Sequence, residues 1–230
     1  MVEVRTITIE RDELGDMLGG GFPSATMGII EGRYGTGKSL LAQRFAYGFL
    51  ENGYSVSLIS TELTVKGFIE QMNSLKYNIT SKLLKNQLLF IPIYPLISKQ
   101  DTEMDLAAKL MEGERIFQSD IIIIDSYAAL LAQDPNPGRS SARLIGFFHK
   151  LLAQQKTILL TCEPGYRDIL EQLYASAHIL LELELNQLGG KVSHEIEIQR
   201  FAKAGSSVTR TIAFRVEPKI GFILEITSVG

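Results

Sequence analysis

Apolar residues recur along this chain in two alternating rhythms: short dense runs, and longer stretches with an apolar position every three or four residues. Met27-Gly28-Ile29-Ile30-Glu31 has the first form and predicts a short buried strand. Leu40, Leu41, Phe45, Phe49 and Leu50 have the second and predict a helix behind it. The alternation continues. Residues 55–60 form a β-rich run, and Phe68, Ile69, Met72 and Leu75 mark one face of a helix over 64–75. Residues 88–93 read as a strand closed by Pro92 and Pro95, and 103–118 carry a helical pattern. Ile121-Ile122-Ile123-Ile124-Asp125 has the composition of a strand covered on both faces. Residues 143–154 are amphipathic, and 157–161 make the next strand. This order predicts an α/β fold, a mostly parallel central sheet with helices on both faces.

The rhythm changes near residue 178. Residues 179–185 alternate, Gly189-Gly190 supplies a turn, and 192–199 alternate again. Residues 211–216 and 222–226 follow, joined by Glu217-Pro218-Lys219-Ile220-Gly221. Close-set strands with glycine turns predict an antiparallel extension at the C-terminal end of the sheet. No internal repeat or low-complexity linker interrupts the chain, so the expectation is one domain over residues 1–230.

Composition narrows the class. With 45 % hydrophobic and 21 % charged residues the chain has the means to build a core. A net charge of −3 argues against a broad nucleic-acid footprint, though not against a local basic patch. Cys162 is the only cysteine, which rules out an intramolecular disulfide and suits a reducing compartment. It follows an apolar run and reads as a small buried hydrophobe. No apolar run approaches the length of a membrane span, and the strand-like start, Met1 to Ile9, lacks the apolar block of a signal peptide. The expectation is a cytoplasmic protein.

The chemistry enters between the first strand and the first long helix. Gly32-Arg33-Tyr34-Gly35-Thr36-Gly37-Lys38-Ser39 is a complete G-x-x-x-x-G-K-[ST] phosphate-binding loop in the strand–loop–helix setting that the motif requires. Its glycines let backbone N–H groups turn inward to a phosphate, helped by the positive end of the following helix. The expected nucleotide contacts are Gly32, Tyr34, Gly35, Thr36, Gly37, Lys38, Ser39 and Leu40. Lys38 reaches the β- and γ-phosphates, and the Ser39 hydroxyl ligates Mg²⁺.

A carboxylate on the magnesium side belongs at the carboxyl edge of a neighbouring strand, where Asp125 falls; we expect it to act through a coordinated water. The next residue is Ser126, so the slot in which many P-loop ATPases carry a general base holds no carboxylate. Glu62, in Ser60-Thr61-Glu62, has two readings of equal weight. It either orients water towards the γ-phosphate or places its charge at the start of the helix over 64–75. Thr161 ends a strand on the same edge, either as a γ-phosphate sensor or as a cap before Pro164-Gly165.

With these residues in place the chain resembles the RecA superfamily and, within it, the KaiC-like ATPases. Leu18-Gly19-Gly20-Gly21-Phe22-Pro23 looks like that group's entry to its nucleotide site. The resemblance narrows to the archaellum (archaeal flagellum) FlaH family, also called ArlH. It is carried by Ile59-Ser60-Thr61-Glu62-Leu63-Thr64, Phe68-Ile69-Glu70-Gln71-Met72, Ser74 to Ile79, residues 91–98 and the tail over 212–221. It covers almost the whole chain. The resemblance implies a RecA-like fold, ATP and Mg²⁺ as ligands, and weak ATPase or autokinase activity at most. It also implies docking on the motor ATPase FlaI and the membrane platform protein FlaJ, under nucleotide control. Such a protein is cytoplasmic, peripherally associated with the membrane-bound motor, and a homo-oligomer or ring is among its expected states. KaiC-like enzymes carry two adjacent glutamates where this chain has Glu62-Leu63, and a leucine cannot take a proton. Arg200 and Lys203 lie near where such rings place residues acting on a neighbour's site, but their spacing departs from the lysine-x-arginine pattern. Two solvated charges at a strand end are the simpler account.

The competing readings are a nucleotide-dependent regulatory subunit, a ring ATPase with genuine turnover, a recombinase-like DNA-binding ATPase and a small-molecule kinase. Gln133-Asp134-Pro135-Asn136-Pro137-Gly138-Arg139 is poorly equipped for DNA, with one arginine and no aromatic residue, and no nucleic-acid partner is expected. The resemblance implies ATP rather than GTP, and the chain has no guanine-reading Asn-Lys-x-Asp motif.

Overall fold

The computed structural model describes residues 3–10, 12–93, 106–132, 134, 136–188, 191–217 and 220–225. In chain order its elements are β1 (Val4–Thr6), α1 (Leu14–Met17), β2 (Gly21–Pro23), β3 (Met27–Gly32), α2 (Lys38–Glu51) and β4 (Val56–Ser60). Next come α3 (Val65–Ser74), α4 (Thr80–Leu84), β5 (Leu88–Pro92), α5 (Leu106–Glu112), β6 (Ile121–Asp125), α6 (Tyr127–Ala132) and α7 (Pro137–Ala153). Then follow β7 (Thr157–Cys162), α8 (Glu171–Ser176), β8 (Ile179–Leu188), β9 (Lys191–Phe201), β10 (Thr211–Glu217) and β11 (Gly221–Glu225). The main sheet runs β11-β10-β9-β8-β3-β7-β6-β4-β5; β1 and β2 pair separately.

The four isoleucines of β6 show why the sheet is covered twice. Every residue of β6 is buried, and so is every residue of β3, β4 and β7. Side chains alternate across a strand, and Ile121 and Ile123 join a core with Leu41, Phe45 and Phe49 of α2 and Phe68 and Met72 of α3. Ile122 and Ile124 join the opposite core with Leu144, Phe148 and Leu151 of α7 and Leu173 of α8. Strands β8, β3, β7, β6, β4 and β5 are parallel neighbours, as the strand–helix alternation predicts. Strands β8 to β11 are antiparallel, which forms the extension read from the close-set strands.

Parallel order brings the ends of β3, β4, β6 and β7 to one edge. Crossed strands keep their register: Ile59 pairs with Ile124 and Ser60 with Asp125, while Ile30 pairs with Thr161 and Glu31 with Cys162. The Thr61 N–H donates to the Asp125 carbonyl at 2.8 Å, and the Ser126 N–H to Thr61 Oγ1 at 3.0 Å. These bonds tie β4 and β6 together just where the site begins. At the opposite edge Arg5 donates to the Asp120 and Gln155 carbonyls at 2.7 and 2.5 Å, pinning β1 under β6 and β7.

Several boundaries differ from the sequence reading. The pattern over 103–118 becomes a short α5, broken at Gly113 and followed by a 3₁₀ turn at Glu114–Phe117; residues 103–105 lie outside the described residues. Helix α7 starts at Pro137, six residues before the periodic stretch at 143, because proline suits the first helical turn, where its missing N–H has no acceptor to lose. Pro137, Gly138 and Arg139 are therefore helical. Pro92 ends β5, an edge strand that tolerates the lost donor. The expected closure by Pro95, the resemblance over 94–98 and the turns at Gly189-Gly190 and Pro218-Lys219 lie outside the described residues.

Candidate functional site

Strand β3 delivers the chain to the loop, and α2 takes it away. Gly37 is the N-cap of α2 with φ 93°, in the left-handed region that favours glycine. A Cβ there would press on His194 Nδ1 at 3.3 Å and touch Phe214 Cζ at 3.4 Å. Gly32 answers to space: an added Cβ would lie 2.5 Å from Thr36 Oγ1 and 2.9 Å from the Leu183 carbonyl oxygen. The loop can close on itself only without side chains at these points. The first turn of α2 has backbone N–H groups with no intrahelical acceptor, and they point into the loop with the helix dipole behind them. That cradle suits an anion of phosphate type.

Around it lies a cavity of about 200 Å³ whose lining includes Tyr34, Gly35, Gly37, Lys38, Ser39, Leu40, Glu62, Asp125, Ser126 and Glu163. Six residues expected from the loop motif line it, namely Tyr34, Gly35, Gly37, Lys38, Ser39 and Leu40. Thr36 is turned inward to its own loop, its hydroxyl donating to the Arg33 carbonyl at 2.8 Å. Tyr34 stands 80 % exposed at the rim, its ring centroid 5.6 Å from Lys38 Nζ. Lys38 is itself buried and donates to the Arg33 carbonyl at 3.0 Å.

Asp125 receives two hydroxyl donors on one oxygen, Ser39 Oγ at 3.0 Å and Thr161 Oγ1 at 2.7 Å. Burial pushes its carboxyl up to about 6; the Thr161 and Ser39 hydrogen bonds pull the other way, Glu62 adds to the rise and Lys38 counters it. A serine hydroxyl and a carboxylate oxygen at that separation are a hard-oxygen donor pair, the chemistry that Mg²⁺ selects. The pair therefore fits the ion the fold implies.

The remaining expected residues separate into near and far. Glu62 is exposed and borders the cavity, while the start of α3 is served by others. Thr64 Oγ1 accepts the Gly67 N–H at 3.1 Å, and Ser60 Oγ accepts the N–H groups of Glu62 and Leu63 at 3.3 and 3.0 Å. Thr161 is on the expected edge, but its hydroxyl is spent on Asp125. Arg200, opposite Leu180 at the start of β8, lies towards the other edge of the sheet, and Lys203 lies beyond the end of β9. Arg200 donates to the Tyr174 and Ala177 carbonyls at 3.1 and 2.6 Å, which ties β9 to the end of α8. Neither residue reaches this chain's own loop. Cys162 is fully buried, and burial raises its thiol far above the usual range, so it is inert as a nucleophile.

Two residues of the site escaped the sequence reading. Glu163, one residue beyond β7, places Oε1 3.5 Å from Lys38 Nζ and accepts the Ser126 hydroxyl on Oε2 at 3.1 Å. Its signal was available: it stands two residues after Thr161, off the end of a strand already assigned to this edge. Ser126 also receives the Ala129 N–H at 3.2 Å, so the residue that replaces a general base caps α6 and orients Glu163. The second is His194 of β9, whose Nδ1 lies 2.9 Å from the Thr36 carbonyl. A carbonyl only accepts, so Nδ1 carries the proton. The ring stacks on Phe214 at 4.9 Å, and Phe214 on Phe222 at 4.5 Å, so the antiparallel extension braces the loop from behind. No local pattern could reveal a partner 158 residues away.

The family model described as "ATPase: KaiC" matches residues 7–220. The "Archaeal flagellar ATP-binding protein FlaH" of Methanocaldococcus jannaschii is 42 % identical over 232 residues, covering 100 % of this chain and 99 % of that protein. The protein of the same name from Methanococcus voltae is 36 % identical over 97 % of this chain and 98 % of its own length. Among solved structures, the flagellar accessory protein FlaH of M. jannaschii superposes with a TM-score of 0.90 over 98 % of this chain and 100 % of that one. A KaiC-like protein of Pyrococcus horikoshii, 19 % identical, shares the fold with a TM-score of 0.76 over 97 % of this chain and 100 % of that one. A phosphate-binding loop on a RecA-type sheet, a matching family model and relatives aligned from end to end agree: the chain belongs to the KaiC family of ATPases, in its FlaH branch.

Proposed function

We propose that this protein is the ATP-binding regulatory subunit of an archaellum motor, working as one unit over residues 1–230. It binds MgATP with little or no hydrolysis and uses its nucleotide state to control docking to the motor ATPase FlaI and the membrane platform protein FlaJ. FlaH-named relatives aligned over the full chain support the archaellum setting and ATP as the ligand. The observation that carries the regulatory half is the composition of the cavity. Ser126 stands directly after Asp125, where a carboxylate would serve as base, and Leu63 follows Glu62. Glu62, the candidate water-positioning group, is exposed to solvent, while the buried Glu163 is committed to Lys38 and Ser126.

In this reading the N–H groups of Gly35 to Leu40 and the Lys38 ammonium bind the phosphates, and Ser39 and Asp125 hold the Mg²⁺ side. Bound Mg²⁺ supplies charge neutralisation at the β- and γ-oxygens. The Thr161 hydroxyl positions Asp125. Arg200 and Lys203, remote from the loop of their own chain, are the candidates for contact with another copy in a homo-oligomer or ring, although Arg200 already holds the end of α8. The protein acts in the cytoplasm, peripherally at the membrane-bound motor; among the described residues no helix is long and apolar enough to cross a membrane.

A second reading, a ring ATPase with genuine turnover, is favoured by Glu62 at the cavity rim. One experiment separates the two: purified protein with excess labelled MgATP, sampled over hours and resolved into ATP, ADP and labelled protein. Retention of intact ATP with less than one turnover per site is expected. Sustained ADP release that disappears in Glu62→Gln would establish the enzyme instead.

A further inference from the structure

Lys38 is claimed by a carboxylate of its own chain. The ammonium that a phosphate-binding loop presents to the β,γ-phosphates lies 3.5 Å from Glu163 Oε1, at ion-pair range, and both side chains are about nine-tenths buried. Burying a carboxylate costs free energy unless a charge and hydrogen bonds compensate it. Here the compensation comes from Lys38 and the Ser126 hydroxyl. Lys38 donates its hydrogen bond to the neutral Arg33 carbonyl and feels Asp125 from farther off, so Glu163 is the carboxylate at ion-pair distance from it.

The position of Glu163 is set by topology. Strand β7 lies between β3, which leads into the loop, and β6, which ends in Asp125. Cys162 pairs with Glu31, so the next residue along β7 comes abreast of Gly32, the first residue of the loop. Two anions cannot share one ammonium in a site of low dielectric without strong repulsion. A phosphate arriving at Lys38 must displace Glu163 or bear its charge, and either way the carboxylate opposes binding.

We propose that Glu163 is a positioning residue that competes with bound phosphate for Lys38 and so sets the nucleotide affinity of the loop. This rests on the reading of the loop as an ATP site. The competition tunes affinity downward, which keeps a subunit that hydrolyses little from being locked in one nucleotide state.

The test is a calorimetric titration of MgATP into wild type, Glu163→Gln and Lys38→Ala. Glutamine keeps the shape and an oxygen for the Ser126 hydroxyl but removes the charge. Glu163→Gln is expected to tighten MgATP binding about tenfold, equivalent to about 1.4 kcal/mol. Glu163→Asp, which keeps the charge but withdraws it by one methylene, is expected to shift affinity the same way by less, and it serves if the glutamine variant folds poorly. A residue that merely packs would lower the melting temperature and weaken binding together; one that orients water would leave affinity unchanged. Equal or weaker affinity in Glu163→Gln beside a wild type that binds overturns the competition alone. Absence of binding in the wild type overturns the ATP site, and the competition with it. Wild-type binding that Lys38→Ala leaves intact overturns the competition by removing its object.

Discussion

Arg44 is the largest side chain fully withdrawn from solvent among the described residues, and it carries a charge. Its Nε and Nη2 meet the Asp12 carboxylate at 2.8 and 2.5 Å, and Nη1 donates to the Ile7 carbonyl at 2.9 Å. The pair fastens the N-terminal segment to the middle of α2. Removing one partner of a buried pair leaves the other charge without compensation, at a cost of about 3–5 kcal/mol. Arg44→Met is thus expected to lower the urea midpoint by that equivalent with an unchanged slope. A loss below about 1 kcal/mol would put the pair in the solvent-screened class instead. The site shows the same limit of local reading. The places of Lys38, Ser39, Asp125 and Glu62 around one cavity are legible because each stands in a motif or at a strand end. Asp12 sits 32 residues before Arg44 and His194 158 residues after Thr36, and no periodicity encodes such pairings.

Among the elements, the parallel strands were the most legible, because a strand buried on both faces is a short, dense run of mostly apolar residues. The helices were less so. Helix α7 begins six residues ahead of its periodic stretch because a proline start needs no apolar face, and α5 stops at Gly113 because glycine loses too much backbone freedom to continue. One junction of elements predicts a pH response. His178, between α8 and β8, accepts the Met27 N–H on Nδ1 at 3.3 Å, where β3 begins. Burial holds its imidazole below the ordinary value of 6.5, helped by the charges of Lys203, His149 and Arg200. The unfolded chain takes up a proton near 6.5 that the folded chain accepts only at lower pH. The unfolded state therefore binds more protons in that window, and folding stability falls as pH drops below 6.5. Melting curves across that range are expected to show the loss in wild type and a smaller loss in His178→Asn. Parallel declines would assign the acid sensitivity to other groups.

Over the whole molecule, ligand binding and folding are linked. A ligand that binds only the folded state, at a hundredfold excess over Kd, adds about 2.7 kcal/mol. For a domain of this size each kcal/mol moves Tm by about 2–4 °C. MgATP is expected to raise Tm by several degrees, and Lys38→Ala to abolish the shift; equal melting with and without nucleotide would remove the basis of the ATP reading. The sequence alone determined the α/β class, the phosphate loop with Asp125 at the facing strand end, and the family. Each follows from local periodicity, a contiguous motif or direct resemblance. The tertiary structure decided the order of the strands, and with it which residues face the cavity. Placing β7 between β3 and β6 turns Glu163 onto Lys38 and Thr161 onto Asp125, and folding β9 back along β8 brings His194 beneath Thr36. These contacts depend on which strands become neighbours. That choice is made by burying the apolar surface of the whole chain at once, so no single stretch of sequence contains it.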